Sequence, residues 1–376
     1  MTAHCLLRQE PAKDPILGIL DRDAEIYCNN HSLPGQVDGV TCCYPETTDD
    51  IKLKLYLYLP KTKRQKIAFN DTCRGRRLFR RYEKIVYIIH GWLEVPLREE
   101  WITLTRKYWS KRGHPVIVVD YSKGGGAQYF QAIANIRTVG MAVGYSIIKW
   151  NIIHKTLIIG LSLGGQAIGQ VGLYVNQKTR DGGKERKVAE CHALDPAGPY
   201  YEGGPLEAIL DKSDCKVVQV IHTAASRSTE LSVPLALAGN MYGTGFKSGH
   251  CDYWINCGFL QPQTCAEGLV SAISKLSLPS ISTNIVACGH SRSAVIYVNE
   301  LYGKCNFTSI TCADCGDRMK IGCSATEQNT VLNGLPPYAD CNPNEDTNYV
   351  VFTNEGNNKC QSYIQGSIAD PIPEVN

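Results

Sequence analysis

No stretch of about 18 consecutive apolar residues occurs in the 376-residue chain, so no membrane-spanning helix is expected. Charge of one sign is also scarce: 39 Lys and Arg against 36 Asp and Glu leave a formal net charge of +3. No basic stripe interleaved with aromatic residues exists, which removes nucleic acid from the expected partners. The densest basic run, Lys61-Thr62-Lys63-Arg64-Gln65-Lys66 with Arg74, Arg76, Arg77, Arg80 and Arg81, is better explained as a solvated face than as a dock for anionic lipid. The lone Cys312-Ala313-Asp314-Cys315 has no partner pair at finger spacing, which argues against zinc. There are no internal repeats. The first residues, from Met1 to Pro11, contain no apolar core of signal-peptide length.

Cysteine is abundant: 17 residues, crowded at Cys251, Cys257, Cys265 and Cys288 and again at Cys305, Cys312, Cys315 and Cys323. A reduced cytosolic enzyme of this size does not carry so many, so disulfides in an oxidising compartment are expected. The odd count leaves at least one thiol unpaired or intermolecular. Three sequons, at Asn30, Asn70 and Asn306, agree with glycosylation. Together these outweigh the missing leader, and the expected location is extracellular, by secretion.

The length permits one large α/β domain or two domains. Residues 1–50 are weakly periodic and read as an irregular lead-in. Lys52 to Leu59 alternates polar and apolar, as a half-buried antiparallel strand does. Ile85 to Ile89, Val116 to Val119 and Leu157 to Ile159 are continuously apolar, as strands buried on both faces are. Ala132 to Lys149 is helix-compatible, and Val217 to Ile221 suggests a later strand. Strand–helix alternation predicts a mostly parallel central sheet flanked by helices over 51–304. From Cys305 to Asn376 the chain is Cys-, Asn- and Gly-rich and reads as a stapled C-terminal extension.

Gly160-Leu161-Ser162-Leu163-Gly164 follows the third apolar run and precedes a small-residue-rich helical stretch. This is the strand–turn–helix context of a nucleophile elbow, the α/β-hydrolase arrangement. A Cβ at either glycine would collide with neighbouring backbone at so sharp a turn. In a chain with 34 glycines the motif also arises by chance, so the context carries the reading.

A serine nucleophile needs a base to take its proton and an acid to orient that base. In this fold the order is serine, acid, histidine. Asp195, in Leu194-Asp195-Pro196, ends a short apolar segment and is the candidate acid, with a turn-forming Asp-Pro as the usual alternative. Order then leaves His222, His250 and His290 as candidate bases.

Eight motifs occur in an order that resembles the pancreatic-type lipase family, which includes secreted lipases and phospholipases A1. They are His90-Gly91-Trp92, Val119-Asp120-Tyr121-Ser122, Asn135 to Gly140, Gly160 to Gly165, Leu194 to Pro199, Val220-Ile221-His222-Thr223, Gly249 to Tyr253 and Cys288 to Arg292. The resemblance runs from about Leu53 to Tyr302. It implies Ser162 as nucleophile, Asp195 as acid and His290 as base, with His222 and His250 structural. The backbone N–H groups of Trp92 and Leu163 are implied as the oxyanion hole, each worth about 3–4 kcal/mol in such sites. It further implies a lid between Cys265 and Cys288, closed by a disulfide, that opens at a lipid interface. The long segment 224–248 would line the acyl groove. Beyond the resemblance, Cys251–Cys257, Cys305–Cys312 and Cys315–Cys323 are candidate links on local spacing.

The chain also departs from the family. It reaches Asn376 without a C-terminal β-sandwich, so a colipase-type partner is not expected. Leu161 stands where histidine is usual. Asp211 and Asp214 match two carboxylates of a structural calcium site, but the third position is Leu206, with Glu207 beside it. A solvated acidic turn is preferred there, and no cofactor is required. Long lid and groove segments point to a triacylglycerol lipase acting peripherally at a lipid surface. Phospholipase A1 activity and a non-enzymatic lipid binder are the alternatives.

Overall fold

The computed structural model describes residues 13–19, 44–181, 185–201, 206–225, 242–255, 258, 288–304, 308–311, 331–333, 335–337, 341–344 and 347–351. A two-stranded hairpin comes first, β1 (Lys13–Asp14) and β2 (Gly18–Ile19). Then follow β3 (Lys54–Tyr58), β4 (Gln65–Ile67), α1 (Thr72–Phe79), β5 (Ile85–Ile89) and α2 (Glu100–Lys111). The middle of the chain forms β6 (Val116–Asp120), α3 (Ser122–Gly125), α4 (Tyr129–Lys149), β7 (Thr156–Leu161) and α5 (Leu163–Thr179). The remainder gives β8 (Val188–Leu194), β9 (Cys215–His222), β10 (Cys251–Ile255), α6 (Cys288–Leu301), β11 (Thr308–Thr311), β12 (Val331–Asn333) and β13 (Thr347–Val351).

One 11-stranded sheet has the order β12-β11-β13-β10-β9-β8-β7-β5-β6-β3-β4. The stretch from β13 to β6 is parallel throughout. Antiparallel pairs close both edges: β3 and β4 at one, β11 and β12 at the other. This is the α/β-hydrolase architecture, a mostly parallel sheet with flanking helices.

Strand β5 explains the layering. All five residues are fully buried. Ile85, Tyr87 and Ile89 enter one apolar cluster with Ile136, Val139 and Val171 of α4 and α5. Val86 and Ile88 enter the other with Trp101, Ile102 and Tyr297 of α2 and α6. Period-two alternation thus feeds both faces, and a fully buried side chain of this size contributes roughly 1.5–3 kcal/mol. Helix α4 begins at Tyr129, slightly ahead of the expected Ala132.

Chain order reverses beside β5: β6 lies on one side of it, and β7 and then β8 on the other. Open parallel sheets bind ligands outside the carboxyl ends of strands at such a switch point. The loops after β5 and β7 therefore face one crevice.

The region from 305, read as an extension, contributes β11, β12 and β13 to the same sheet. Val350 pairs with Trp254 on β10 on one side and with Ile310 on β11 on the other. Cys251 is linked to Cys341 across a Cα–Cα distance of 6.0 Å. The expected Cys251–Cys257 link is therefore corrected: Cys251 opens β10, and Cys341, between β12 and β13 in the chain, lies alongside it. A second link, Cys191–Cys215, joins neighbouring strands β8 and β9. Cys73 is a free, exposed thiol. Cys257, Cys265, Cys305, Cys312, Cys315 and Cys323 lie outside the described residues, as do Asn30, Asn306 and the segment 265–287. Cys288 is the first residue of α6. No helix among the described residues is long and apolar enough to cross a membrane.

Candidate active site

Ser162 sits between β7 and α5 with φ 57° and ψ −120°, a conformation that costs an L-residue energy and persists only where the surroundings impose it. They do so here. Ser162 N–H donates to Leu194 O (3.0 Å), and Ser162 O accepts from Ala197 N–H (3.1 Å). A Cβ on Gly164 would lie 2.2 Å from Ile89 O, and one on Gly160 would lie 2.2 Å from Gly164 O. The glycines are therefore required by backbone crowding on both sides of the serine. The Ser162 side chain is half-buried, open to the crevice.

Asp195 follows β8 and is fully buried, with φ 44°. Its Oδ1 accepts two backbone N–H bonds, from Thr223 (2.7 Å) and Ala224 (3.1 Å). Its Oδ2 accepts from Nδ1–H of His290, the third residue of α6, at 2.6 Å. With Nδ1 occupied in this way, Nε2 of a neutral His290 carries the lone pair. Sequence separations of 28 to 95 residues are thus closed by the ends of three adjacent strands and one helix.

The other two candidate histidines are engaged elsewhere. His222 Nε2 bonds Asp252 Oδ1 (2.8 Å), and its ring stacks on Trp254 at 3.8 Å. His250 Nδ1 accepts Val218 N–H at 3.0 Å.

The turn after β5 supplies the second candidate donor. Burial lowers the His90 pKa to about 4, so the ring is neutral. His90 Nε2 accepts Tyr121 N–H (3.2 Å), which leaves Nδ1–H to donate to Gly91 O (2.8 Å). That carbonyl shares a peptide plane with Trp92 N–H, so a trans peptide aims the N–H away from His90. The Leu93 N–H donates to Gly125 O at 2.9 Å, whereas the Trp92 N–H has no partner among the described residues. Leu163 is the first residue of α5, where backbone N–H groups have no intrahelical acceptor. A Cβ on Gly91 would sit 3.1 Å from Ser162 Cβ, so the two turns are in contact.

An apolar rim surrounds this arrangement. Trp92 packs edge-on against Tyr129 (5.0 Å), Phe130 against Tyr200 (4.5 Å), and Tyr242 lies 5.6 Å from the His290 ring. Leu93, Val95 and Leu97 are exposed beside them.

The profile of the Lipase family matches residues 29–333. The chain belongs to the lipase family. The pancreatic triacylglycerol lipase of Oryctolagus cuniculus is 30% identical over 303 residues, covering 76% of this lipase-family chain and 60% of that protein. The Sus scrofa pancreatic triacylglycerol lipase is 28% identical over 278 residues, covering 71% of this chain and 57% of that protein. Pancreatic lipase-related protein 2 of Cavia porcellus is 30% identical over 249 residues, covering 64% of this chain and 48% of that protein. The lipase-family chain thus spans about half to three fifths of the length of these relatives.

Among the described residues, the acidic turn around Asp211 and Asp214 offers calcium little. Asp214 Oδ2 accepts Asp211 N–H (2.9 Å), and Asp211 Oδ1 accepts Ser213 N–H (2.5 Å). Glu207 is exposed, and Leu206, at 66% exposure, offers no oxygen from its side chain. Burial, with the Asp211 charge adding, pushes the Asp214 carboxyl well above its ordinary range. Among the described residues no group of three or more His, Cys, Asp or Glu side chains could hold a metal. Among the described residues, the Glu207, Asp211 and Asp214 side chains do not form a calcium cage.

Sequence reasoning passed over Glu94, which touches the Gly91 turn. Its signal was a lone carboxylate inside the apolar run Trp92-Leu93-Glu94-Val95.

Proposed function

We propose that this chain is a secreted serine carboxylester hydrolase that releases fatty acids from water-insoluble acylglycerols through an acyl-enzyme on Ser162. The observation that carries the reading is the 2.6 Å bond between His290 Nδ1 and buried Asp195, on the rim of the crevice that the Ser162 turn enters. Asp195 fixes the tautomer in which His290 Nε2 is the base. Nε2 takes the Ser162 hydroxyl proton as Oγ attacks the ester carbonyl carbon. The developing oxyanion is received by the N–H groups of Trp92 and Leu163. As the tetrahedral adduct collapses, His290 returns the proton to the departing alcohol. Water then enters by the same route, and the fatty acid leaves.

The substrate class follows from the rim. Half-buried Trp92, Tyr129, Phe130, Tyr200 and Tyr242, with exposed Leu93, Val95 and Leu97, suit an acyl chain better than a polar ester. The segment between Cys265 and Cys288 is the proposed lid, and it ends where α6, which carries His290, begins. Secretion is supported by the two disulfides, and glycosylation by the exposed sequon at Asn70. Contact with membranes is peripheral, at the lipid surface.

The test is hydrolysis of emulsified triolein beside phosphatidylcholine vesicles, with Ser162→Ala as control. Serine-dependent release from triolein is expected. Release mainly from the phospholipid sn-1 ester would make the chain a phospholipase A1. Release from neither, with no covalent labelling by a serine-directed phosphonate, would overturn the enzyme reading in favour of a lipid-binding protein.

A further inference from the structure

The turn between β5 and α2 carries its polarity inside out. Leu93, Val95 and Leu97 face solvent at 48%, 37% and 40% exposure, yet the carboxyl group of Glu94 between them points inward. A carboxylate leaves water at a cost unless donors replace the water it loses. Two do. Gly91 N–H donates to Glu94 Oε2 at 2.5 Å, and the Trp101 indole N–H donates to Oε1 at 3.0 Å. Trp101 is anchored in the apolar cluster under α2, so the carboxylate bridges a packed helix and the turn that lies against Ser162.

The bridge acts on one particular peptide. The N–H groups on either side of Trp92 are tied, Gly91 to Glu94 and Leu93 to Gly125 O. The Trp92 N–H between them is the one with no partner among the described residues. Its peptide is held from below by His90 and flanked by the Glu94 bond. We propose that Glu94 is a positioning residue: braced by Trp101, its carboxylate holds the Gly91 N–H and thereby aims the Trp92 N–H at the oxyanion position beside Ser162. This rests on the hydrolase reading above.

Such a carboxylate has an unusual working range. Burial raises the Glu94 pKa to about 7, against the opposing bonds from Gly91 and Trp101. The groups that face it are Glu99 in the same turn, whose charge raises it further and whose Oε1 accepts Val95 N–H (3.3 Å), and Tyr121 from the end of β6. Protonation removes the charge and makes one oxygen a hydroxyl, a poorer acceptor, so one of the two bonds is weakened. The turn is therefore braced above about pH 7 and loosened below it.

The experiment uses the full chain with p-nitrophenyl butyrate kept below its solubility limit, comparing wild type, Glu94→Gln and Trp101→Phe. Glutamine is nearly isosteric but offers one acceptor oxygen for two N–H donors. Phenylalanine keeps the packing and removes the second donor. Removing an oxyanion donor outright costs about 10²–10³ in kcat, so misaiming one is expected to cost about 10-fold or more in Glu94→Gln, with KM within about twofold. Trp101→Phe is expected to fall in the same direction by less. In wild type the loss of kcat below about pH 7 is expected to be steeper than in Glu94→Gln, which lacks the titrating carboxylate. A general destabilisation would not change that slope. If wild type turns over the ester and both variants match it in kcat and pH profile, Glu94 does not position the turn. If wild type neither turns over the ester nor is labelled at Ser162 by a phosphonate, the hydrolase reading fails first, and this inference falls with it.

Discussion

Replacing Asp195 with asparagine separates charge from geometry at the candidate site. The outcome follows from where the carboxylate's bonds go. Oδ1 accepts from two backbone N–H groups, Thr223 and Ala224. Neither donor can rotate away, because β9 holds Thr223 in place beside His222. The asparagine carbonyl must therefore take the Oδ1 position, and its NH2 must face His290. An NH2 there can only donate, so His290 Nδ1 becomes the acceptor and the proton moves to Nε2. The nitrogen facing the substrate side then has no lone pair with which to take the serine proton. In serine–histidine–aspartate triads this tautomer inversion costs about 10⁴ in kcat, or about 5.4 kcal/mol at about 1.36 kcal/mol per decade. The side chains are nearly isosteric and the two backbone bonds survive, so thermal unfolding should change little. The assay is kcat on a soluble short-chain ester at pH 7.5, with the rate of phosphonate labelling of Ser162 as a second readout. Retention of more than a tenth of wild-type kcat by a folded Asp195→Asn protein would refute the reasoning.

Three further outcomes are expected. Gly164→Ala places a Cβ at 2.2 Å from Ile89 O, and since ordinary overpacking costs about 1–3 kcal/mol, a backbone clash of this kind should exceed that range and leave little folded protein on a soluble-expression assay. Removing the Cys251–Cys341 link with serines at both positions opens a 90-residue loop and should lower the unfolding free energy by about 4.6 kcal/mol in urea titration, with the chain-entropy model as guide. Desolvation opposes ionisation of Glu190, yet His192 and Lys84 hold its pKa down to about 2, so its stabilising contribution is present at neutral pH and lost as pH falls through about 2. Glu190→Gln should therefore lower the urea midpoint at pH 7 and lose that deficit as pH falls towards 2.

The site was legible where the chemistry is local. Gly160 and Gly164 announce the Ser162 turn because backbone crowding at a strand–helix junction admits no other residue. The strand end nominated Asp195, but setting it above a plain Asp-Pro turn needed the family resemblance. Choosing His290 over His222 and His250 needed the family resemblance, since all three follow the acid in chain order. Buried parallel strands such as β5 and β7 were legible from continuous apolar runs. Strands β10 and β13 were not, because Cys251–Ile255 and Thr347–Val351 mix polar and apolar residues and are recruited by their neighbours. Cysteine spacing suggested Cys251–Cys257, whereas pairing follows proximity in the fold, which joins Cys251 to Cys341 across 90 residues. Glu94 went unseen because its partners, Gly91 N–H and the Trp101 indole, are backbone and side-chain donors whose approach depends on the turn itself.

Strand β13 is inserted between β10 and β11, although β11 precedes it in the chain. A ribosome therefore delivers β10, then β11 and β12, before the strand that must separate them. Until residue 351 has emerged, β10 keeps an open row of N–H and C=O groups, and the β11–β12 pair has nowhere to dock. Exposed edges of this kind template pairing with other chains. Among the described strands the sheet is thus completed by β13, so the β10 edge of the nascent chain stays open until that strand has been made. A product terminated before Thr347 would expose an adhesive β10 edge even though Ser162, Asp195 and His290 were all already present.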